Sequence, residues 1–481
     1  MRMFFNTLVA CVVLVSTSAC NDSNSAKKES PKQAVERGIF LDKTDTGGSD
    51  TTVASTGNDT KTAGTAINDT TVVVTETTDA KAGGTDTKAG GTNESDRMAG
   101  GASAGGVMVG ETDEAQVQLG PRPFYLVDDM SEGSLKTKLK SCEKGPFKRT
   151  DFSISHRGAP LQYADHTEVG YEAAIKMGAG IIECDVTVTK DNQLVCRHGD
   201  CDLAETTDIL TRPELARKCT GQFKPFVPAH FDWLGFHGAV DATAKCCTTD
   251  FTLAELKTLR GKVDRGFNKS ASTAQLYPMS EAAGYAQMGH VMSHADSIAL
   301  FKKNGVKMIP EVKSASAFPK GLDHDGFRKL LIKAYVDAKV DPSDVFIQTF
   351  NKNDVLYLNK NEPAFAKNAA LLMYGVEKKS KDDANKYMQD LYDEGIRTVA
   401  VFYPDLVSKD KDGKYSATKT LLAATKAKLD VIAWTVEYQT PSRGGDEIYN
   451  TLDVLAKNGA KGVFSNWPET VSYYASCMGL K

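Results

Sequence analysis

Residues 382–403 read DDANKYMQDLYDEGIRTVAVFY and show most clearly the helix–strand pattern from which the fold class is predicted. The first part of this stretch, Asp382–Glu394, has the apolar spacing of an amphipathic helix. Gly395 follows the last apolar position, where glycine commonly ends a helix because it adopts the left-handed backbone conformation. Thr398–Tyr403 is rich in β-branched and aromatic residues, which predicts a buried strand. A helix followed closely by a buried strand is the repeating unit of an α/β fold.

The same alternation runs through the chain from Phe152 onward. The predicted strands are Phe152–His156, Ile181–Val188 with Leu194–His198, Lys307–Lys313, Val345–Phe350, Ala370–Tyr374, Thr398–Tyr403, Asp430–Val436 and Gly462–Ser465. The predicted helices are Thr167–Met177, Leu253–Leu259, Ile298–Asn304, Asp325–Ala338, Asp382–Glu394, Lys419–Lys428 and Asp446–Asn458. Eight strand units separated by helices predict a (β/α)8 barrel, also called a TIM barrel. A doubly wound sheet is the alternative, although no Gly-x-Gly-x-x-Gly motif follows any predicted strand.

Residues 199–296 interrupt the alternation with a segment rich in Cys, Pro, Gly and aromatic residues. We interpret this segment as an insertion that covers the mouth of the barrel. Eight cysteines remain when Cys11 and Cys20 are set aside with the N-terminal leader: Cys142, Cys184, Cys196, Cys201, Cys219, Cys246, Cys247 and Cys477. This even number in an exported chain favours disulfides over a zinc site. Cys142 and Cys477 flank the globular region and could join its ends.

The N-terminus has the features of an export signal. The apolar run Leu8–Val15 is too short to span a bilayer, and small residues lead up to Cys20. This pattern resembles a bacterial lipoprotein box, which implies a signal peptide over residues 1–19 and lipidation of the Cys20 thiol. Thr17 is unusual at its position, so ordinary signal cleavage is the alternative. The expected location is the bacterial cell envelope, lipid-anchored on the periplasmic face.

The segment after Cys20 is predicted to be a disordered tether. Residues 21–120 contain 32 Thr or Gly, one aromatic residue (Phe40) and no Cys. Such a composition cannot bury enough apolar surface to offset the entropy of the chain. We therefore place a tether at 20–123 and one folded domain at 124–481. The chain has 58 Lys and Arg against 62 Asp and Glu, a net charge of −4, which excludes the basic excess of general nucleic-acid binding.

Three carboxylates stand at the ends of predicted strands. Glu183 and Asp185 are two residues apart and therefore lie on the same face of their strand. Glu311 lies in a later strand. Carboxylates facing one barrel interior would repel one another unless a cation lies between them. Their oxygens suit a single hard ion such as Ca²⁺ or Mg²⁺.

Histidines and basic residues accompany these carboxylates. His156 and Arg157 end the first strand, His198 follows the second, and Lys313 follows Glu311 by two residues. Arg157 and Lys313 could bind a phosphoryl group, and the two histidines could donate and accept protons during P–O cleavage. We interpret the other six histidines as structural or surface residues: His166, His230, His237, His290, His294 and His324.

The ordered set of motifs resembles the glycerophosphodiester phosphodiesterase family. The motifs are His156-Arg-Gly, Glu183-x-Asp185, Thr189-Lys-Asp191, His198, Glu311-x-Lys313, Trp434-Thr-Val and Gly462-Val-Phe-Ser465. The resemblance implies the TIM barrel and a divalent metal on Glu183, Asp185 and Glu311. It also implies His156 and His198 as paired catalysts, with Arg157, Lys313 and Trp434 in substrate binding. In that family the glycerol 2-hydroxyl attacks phosphorus to give a cyclic phosphate, which water opens to glycerol 3-phosphate.

Two departures from the family pattern stand close to these motifs. The family usually has Pro-Glu-Asn-Thr after the His-Arg-Gly turn, whereas this chain has Ala164-Asp165-His166-Thr167. The acidic residue that usually follows the second histidine is replaced by Gly199. A sphingomyelinase-D-like phospholipase is the alternative enzyme, since it shares the first histidine, the Glu-x-Asp pair and the second histidine. A non-catalytic envelope lipoprotein on the same barrel is the third possibility.

Overall fold

The computed structural model describes residues 117–263, 266–277, 289–313, 318–437 and 444–481. The predicted signal peptide, Cys20 and most of the predicted tether lie outside these residues. Residues 117–123 pack on the folded domain, since the Gln118 amide donates to the Lys176 carbonyl oxygen at 2.8 Å and Leu119 is buried. The folded domain therefore includes Val117, seven residues before the predicted boundary. Among the described helices, none combines the length and apolarity needed to cross a bilayer.

Eight parallel strands form a closed barrel. They are β1 (Thr150–Ser155), β2 (Ala179–Val188), β3 (Lys307–Val312), β4 (Gln348–Thr349), β5 (Ala370–Met373), β6 (Thr398–Phe402), β7 (Asp430–Val436) and β8 (Gly462–Ser465). Each pairs with its neighbours in chain order, and β1 pairs with both β2 and β8, which closes the ring. Eight buried side chains fill its interior: Ile154, Ile181, Ile309, Ala370, Leu372, Ala400, Ile432 and Phe464. The predicted (β/α)8 barrel is confirmed.

Helices pack on the outside of the barrel through a second, larger layer of buried apolar residues. The described α-helices are Arg122–Asp128, Ser134–Lys140, Glu168–Lys176, Leu203–Thr206, Pro213–Ala216, Leu253–Leu256, His294–Lys303, His324–Asp337, Lys352–Asn361, Pro363–Ala366, Lys381–Asp393, Lys419–Lys426, Gly445–Lys457 and Pro468–Met478. Burial on both sides explains why the barrel strands are rich in apolar residues along their whole length.

The helix Lys381–Asp393 illustrates how the sequence fixes these elements. Ser380 Oγ accepts from the Asp383 amide at 3.1 Å and so satisfies a donor that has no partner within the first turn. At the other end Gly395 has a φ of 98°, which a residue with a side chain would adopt only with strain. The observed helix begins and ends within one residue of the prediction.

Several elements differ from the prediction. The predicted strand Leu194–His198 is shorter, Leu194–Cys196, and pairs antiparallel to β2 outside the ring. Of the predicted strand Val345–Phe350, only Gln348–Thr349 forms a regular strand, and Val345 pairs with Met308 in an isolated bridge. The helices Lys352–Asn361 and Pro468–Met478 were not predicted. The first is polar at most positions, so its apolar stripe is weak.

The insertion after β2 has a core of its own. Its buried apolar residues form a cluster separate from the barrel layers. Two antiparallel strand pairs lie within it, Gly221–Lys224 with Thr243–Lys245 and His230–Asp232 with Gly235–His237. The insertion begins just after the hairpin strand Leu194–Cys196, whose Cys196 pairs with Val186 near the C-terminal end of β2. This is the end of the barrel at which TIM-barrel enzymes carry their active sites.

All eight cysteines predicted to form disulfides do so. The pairs are Cys142–Cys477, Cys184–Cys196, Cys201–Cys247 and Cys219–Cys246. The first joins the two ends of the domain, as the sequence suggested. The last two lie within the insertion, and Cys184–Cys196 ties the hairpin strand to β2. The zinc alternative for these cysteines is therefore wrong, since each thiol is bonded to another.

Candidate active site

The predicted site residues converge because they stand at the C-terminal ends of adjacent strands. His156 and Arg157 follow β1, Glu183 and Asp185 lie on β2, and Glu311 lies on β3. The parallel register places Asp185 directly beside Glu311, and Ile182 beside Ser155, the residue before His156. Side chains of equivalent height on neighbouring strands therefore meet at one mouth of the barrel.

Glu183, Asp185 and Glu311 form a buried carboxylate cluster. Each is at most 7% exposed, and each offers an oxygen within 4.8 Å of the others. Burial, together with the charges of Asp185 and Glu311, holds the pKa of Glu183 well above its usual range. Burial likewise raises the pKa of Glu311 to about 8, against the opposing charge of Lys313. Without a cation, the cluster thus carries more negative charge than its surroundings stabilise.

Asp185 behaves differently from its two neighbours. Burial alone would raise its pKa, but the charge of Lys313 and the hydrogen bond from His166 hold the pKa well below its usual range. Its Oδ2 lies 2.9 Å from His166 Nε2. Its Oδ1 is buried without a hydrogen-bond partner among the described residues. A buried charged oxygen of this kind is a suitable ligand for a hard divalent ion, so the cluster could hold one.

His156, which follows β1, is oriented by a residue that follows the neighbouring strand β8. Its Nδ1 lies 2.5 Å from Oδ1 of Asn466, which directly follows β8. Because a carbonyl oxygen accepts, Nδ1 carries the proton and the lone pair is on Nε2. Nε2 lies 3.8 Å from Glu183 Oε2, beside the carboxylate cluster. Burial and the Arg157 charge hold the pKa of His156 well below its usual range, which favours the neutral imidazole.

His198 approaches the same charges from the hairpin beside β2. The backbone holds this hairpin in place, since the Arg197 amide donates to the Asp185 carbonyl oxygen at 2.8 Å. Burial, then the charges of Arg157 and Lys313, hold the pKa of His198 well below its usual range. The charges of Asp185 and His156 also act on it. The two predicted histidines thus share one electrostatic environment.

Arg157 and Lys313 bring positive charge to the rim of the cluster. The Arg157 amide donates to Glu183 Oε2 at 2.9 Å, and Arg157 Nε lies 3.6 Å from Asp185 Oδ2. Lys313 Nζ lies 2.9 Å from Glu311 Oε1. The two carboxylates Glu311 and Asp185 raise the pKa of Lys313 although burial opposes this, so the ammonium group stays charged. Both cationic side chains thus lie against carboxylates of the cluster.

His166, which the sequence analysis interpreted as a structural or surface residue, is a buried residue in direct contact with the carboxylate cluster. It is fully buried, with Nε2 on Asp185 and Nδ1 2.8 Å from the Tyr171 hydroxyl. Its φ is 56°, a left-handed conformation that is uncommon for residues other than glycine. The signal in the sequence was its position, since it occupies the third place of the altered Ala-Asp-His-Thr segment.

Asp165, next to it, has another role. Its Oδ1 accepts from Arg197 Nη2 at 3.2 Å, and both side chains are fully buried. Asp165 therefore anchors the residue before His198. Gly199 also contacts this network, because its amide donates to Asp202 Oδ2 at 3.0 Å while Asp202 Oδ1 is 3.4 Å from Arg197 Nε. Both sequence departures therefore lie in the hydrogen-bond network around Arg197, the residue before the second predicted histidine.

Gln348 was not identified from the sequence, whereas Trp434 was predicted as a substrate-binding residue. Gln348 on β4 donates through Nε2 to Glu183 Oε1 at 2.6 Å and fixes that carboxylate. Trp434 on β7 donates its indole N–H to the Ala400 carbonyl oxygen at 2.9 Å. Its ring packs against Phe350 and Phe402, with centroid distances of 5.8 and 5.1 Å. The indole N–H of Trp434 is therefore used within the barrel, between β7 and β6.

Comparison with known proteins supports the relationship suggested by the motifs. The profile of the Glycerophosphoryl diester phosphodiesterase family matches residues 156–470. An extracellular protein of the fungus Arthroderma benhamiae is 29% identical over 243 residues, which cover 45% of this chain and 99% of that protein. A glycerophosphodiester phosphodiesterase of Arabidopsis thaliana is 28% identical over 245 residues, 50% of this chain and 58% of that protein.

Among solved structures, a phosphodiesterase of Oleispira antarctica in complex with the product sn-glycerol-3-phosphate aligns with a TM-score of 0.41 and 18% identity. The alignment covers 67% of this chain and 95% of that protein. The family profile covers well over half of the chain and includes every predicted metal, histidine and cationic position of the site. The chain therefore belongs to the glycerophosphoryl diester phosphodiesterase family and is a phosphodiesterase.

Proposed function

We propose that this protein hydrolyses glycerophosphodiesters to glycerol 3-phosphate and an alcohol, with one divalent cation at the carboxylate cluster. The observation that carries the proposal is the arrangement of three buried carboxylates, bordered by two cationic side chains and two histidines, at one end of the barrel. The family relationship supports the general reaction. The specific roles below rest on the geometry and on charge.

Glu183, Asp185 and Glu311 would hold the cation. The raised pKa values of the two glutamates and the buried Oδ1 of Asp185 both support this fit, because each is stabilised when a positive charge enters the cluster. All three ligands are oxygens, which favours Ca²⁺ or Mg²⁺ over softer ions. When bound, such an ion would polarise a phosphoryl oxygen and stabilise the negative charge that develops on it.

Arg157 and Lys313 would bind the phosphodiester. Each already forms an ion pair with a carboxylate of the cluster. A phosphoryl oxygen would therefore interact with cations that also remain paired with these carboxylates. Both side chains are buried, which strengthens their attraction for an anion relative to an exposed cation. The ring face of Trp434 would contact an apolar part of the substrate.

His156 would act as the general base. Asn466 keeps its proton on Nδ1, and the lowered pKa leaves Nε2 unprotonated at neutral pH. Nε2 would accept the proton of the glycerol 2-hydroxyl while that oxygen forms a bond to phosphorus. The P–O bond to the head-group alcohol breaks in the same step, and the product is a cyclic phosphate of glycerol.

His198 would act as the general acid that protonates the departing alcohol. Arg157 and Lys313 lower its pKa in the absence of substrate. A bound phosphodiester brings a negative charge between these cations, which raises the pKa of His198 and favours its protonated form. In the second step the roles reverse: His198 accepts a proton from water while the water oxygen bonds to phosphorus. The bond between phosphorus and the glycerol 2-oxygen breaks, and His156 returns its proton to that oxygen, which gives glycerol 3-phosphate.

We further propose that the protein is exported and held at the bacterial envelope by a lipid on Cys20. The lipoprotein-like leader supports this proposal, and four disulfides are typical of an oxidising compartment. A domain on a long tether could then act on soluble glycerophosphodiesters close to the membrane surface.

The direct test is release of glycerol 3-phosphate from glycerophosphocholine by the purified protein, with and without EDTA. We expect turnover that EDTA abolishes and that added Ca²⁺ or Mg²⁺ restores. Whole phosphatidylcholine and sphingomyelin serve as parallel substrates. Cleavage of these lipids without turnover of glycerophosphocholine would identify a phospholipase and overturn the proposal. Inactivity on all substrates with metal present would support a non-catalytic role.

A further inference from the structure

A small hairpin in the insertion carries polar residues on one face and aromatic residues on the other. It consists of His230–Asp232 and Gly235–His237, joined by the two-residue turn Trp233–Leu234. The register pairs His230 with His237 and Phe231 with Phe236. Because side chains alternate along a strand, His230, Asp232 and His237 share one face and the two phenylalanines share the other.

The two histidine rings lie side by side, with a centroid distance of 5.0 Å and an interplanar angle of 14°. His237 Nε2 is 2.9 Å from Asp232 Oδ1. His230, Asp232 and His237 each offer a ligand atom within 4.8 Å of the others. This cluster lies in the insertion and is distinct from the carboxylate cluster of Glu183, Asp185 and Glu311.

The surroundings of His230 prepare it as a ligand. Its Nδ1 lies 3.1 Å from the Pro228 carbonyl oxygen, which can only accept, so Nδ1 carries the proton and the lone pair is on Nε2. Metal-binding histidines almost always donate their second ring N–H in this way, to a backbone carbonyl or a carboxylate. The hydrogen bond to Pro228 would therefore orient His230 as a metal ligand.

The distance between His237 and Asp232 also suits a shared ion. Two ligands at about 2.1 Å from one tetrahedral ion lie about 3.4 Å apart, and at a right angle about 3.0 Å. The observed 2.9 Å separation of Nε2 and Oδ1 is close to this range. An ion would replace the proton that now lies between these atoms, while His230 closes the site from the opposite strand.

We propose that His230, Asp232 and His237 form a binding site for a divalent ion of the Zn²⁺ class. Two imidazoles and one carboxylate favour Zn²⁺, Cu²⁺ or Ni²⁺ over the hard ions that suit an all-carboxylate centre. The hairpin is exposed, so a water molecule would complete the coordination. An isolated two-stranded hairpin is only marginally stable, and an ion that links both strands would fix it.

The experiment is a ZnCl₂ titration of the full-length protein in excess Mg²⁺, with bound zinc measured by equilibrium dialysis. The variants are His230→Ala, His237→Ala and Asp232→Asn, with His290→Ala as the control, since His290 is an exposed histidine outside the hairpin. We expect one zinc ion per chain, at least tenfold weaker binding in the three variants, and no change in the control. Hydrolysis of glycerophosphocholine in Mg²⁺ should be unchanged in all four variants.

Glu311→Gln distinguishes this site from the carboxylate cluster. Zinc binding should persist in this variant, whatever happens to its activity, so the result does not depend on the proposed function. Loss of zinc in Glu311→Gln together with its retention in a His230→Ala/His237→Ala double variant would assign the ion to the barrel and overturn the proposal. Absence of zinc binding by the parent protein would also overturn it. Equal thermal unfolding temperatures of the metal-free variants confirm that the substitutions leave the fold intact.

Discussion

His166 Nε2 lies 2.9 Å from Oδ2 of Asp185, and this contact links a loop after β1 to a predicted metal ligand on β2. The chain of contacts continues outward, since His166 Nδ1 lies 2.8 Å from the Tyr171 hydroxyl. Burial holds the pKa of Tyr171 well above its usual range, so its hydroxyl stays protonated beside the His166 ring. Because the ionised Asp185 carboxylate can only accept, Nε2 donates the hydrogen bond to it. His166 is a positioning residue for Asp185.

His166→Ala should weaken the binding of Mg²⁺ or Ca²⁺ and reduce activity by roughly 10- to 100-fold, the usual effect of removing a group that orients a metal ligand. His166→Asn retains a side-chain N–H and should recover part of the loss. The measurement is the metal concentration at half-maximal activity. If saturating metal restores no activity to either variant, His166 does not act by orienting a metal ligand.

The carboxylate cluster predicts how stability depends on pH in the metal-free protein. The pKa of Glu311 is about 8 in the folded state, raised mainly by burial. The folded state therefore retains a proton that the unfolded state loses above about pH 4.5, so this group stabilises the fold at low pH. Its contribution is lost progressively as the pH rises from about 4.5 to 8.

Glu311→Gln should remove this dependence. In the presence of EDTA, the variant should gain unfolding free energy relative to the parent as the pH rises from 5 to 8, while it loses most of its activity when metal is supplied. The measurement is thermal or denaturant unfolding across that range. Saturating Mg²⁺ should stabilise the parent more than the variant, because the parent binds the ion through a full charge. A constant difference between the two proteins at all pH values would contradict a buried, titrating Glu311.

The disulfides Cys184–Cys196 and Cys142–Cys477 form a matched pair for a test of site rigidity. The first ties β2 to the hairpin strand that leads to His198, and its Cys184 lies between the proposed metal ligands Glu183 and Asp185. The second joins the ends of the domain. Cys184→Ser/Cys196→Ser should lower stability by about 3 kcal/mol and also reduce kcat, because it loosens the strand that bears the site. Cys142→Ser/Cys477→Ser should lower stability with little change in kcat. Equal effects on kcat would show that the barrel alone positions β2.

From the leader and the tether we predict that membrane anchoring can be removed without loss of catalysis. Cys20→Ala should release the exported protein from membranes, because a single thiol carries the proposed lipid. Deletion of residues 21–116 should leave the turnover of soluble substrate and the melting temperature nearly unchanged, since their composition offers no core. The deletion stops before Gln118 and Leu119, which pack on the domain. Membrane retention of Cys20→Ala after a salt wash would contradict anchoring at this position.

The barrel and most of the site could be predicted from sequence because their signals are local. Each strand is a short apolar run, and each predicted ligand lies on a strand of the barrel, where parallel geometry brings side chains of neighbouring strands together. Glu183 and Asp185 needed only the two-residue period of a strand to be placed on one face. Their meeting with Glu311 follows once the strands are adjacent.

The residues that sequence analysis missed depend on tertiary contacts. His166 acquires its role only when the loop after β1 folds over Asp185, and Gln348 only when β4 lies beside β3. Asn466, which orients His156, is 310 residues away in the chain. The strand β4 is also shorter than predicted, with Val345 paired to Met308 only through an isolated bridge that no local pattern encodes. Single polar residues carry no periodic signal, so the fold must be known before they can be assigned.

Leaving-group chemistry provides a test of the two histidines. Attack by the glycerol 2-hydroxyl requires a base, and expulsion of an alcohol such as choline requires an acid, because its alkoxide is a poor leaving group. The leaving group of a p-nitrophenyl ester is a stable phenolate, so its departure hardly needs the acid. A substrate pair that differs only in the leaving group therefore separates the two roles.

His198→Ala should lose far more activity on glycerophosphocholine than on a p-nitrophenyl glycerophosphodiester, because the activated ester needs no proton from His198. His156→Ala should fail on both substrates, since the hydrogen bond with Asn466 places the basic lone pair on Nε2 of this residue and no substrate supplies a replacement. The measurement is kcat/KM for both variants on both substrates, with His290→Ala as the control for a surface histidine. If His156→Ala is the variant rescued by the activated ester, the acid and base are exchanged. Equal losses on both substrates would instead mean that the histidines stabilise the transition state together, without divided proton transfer.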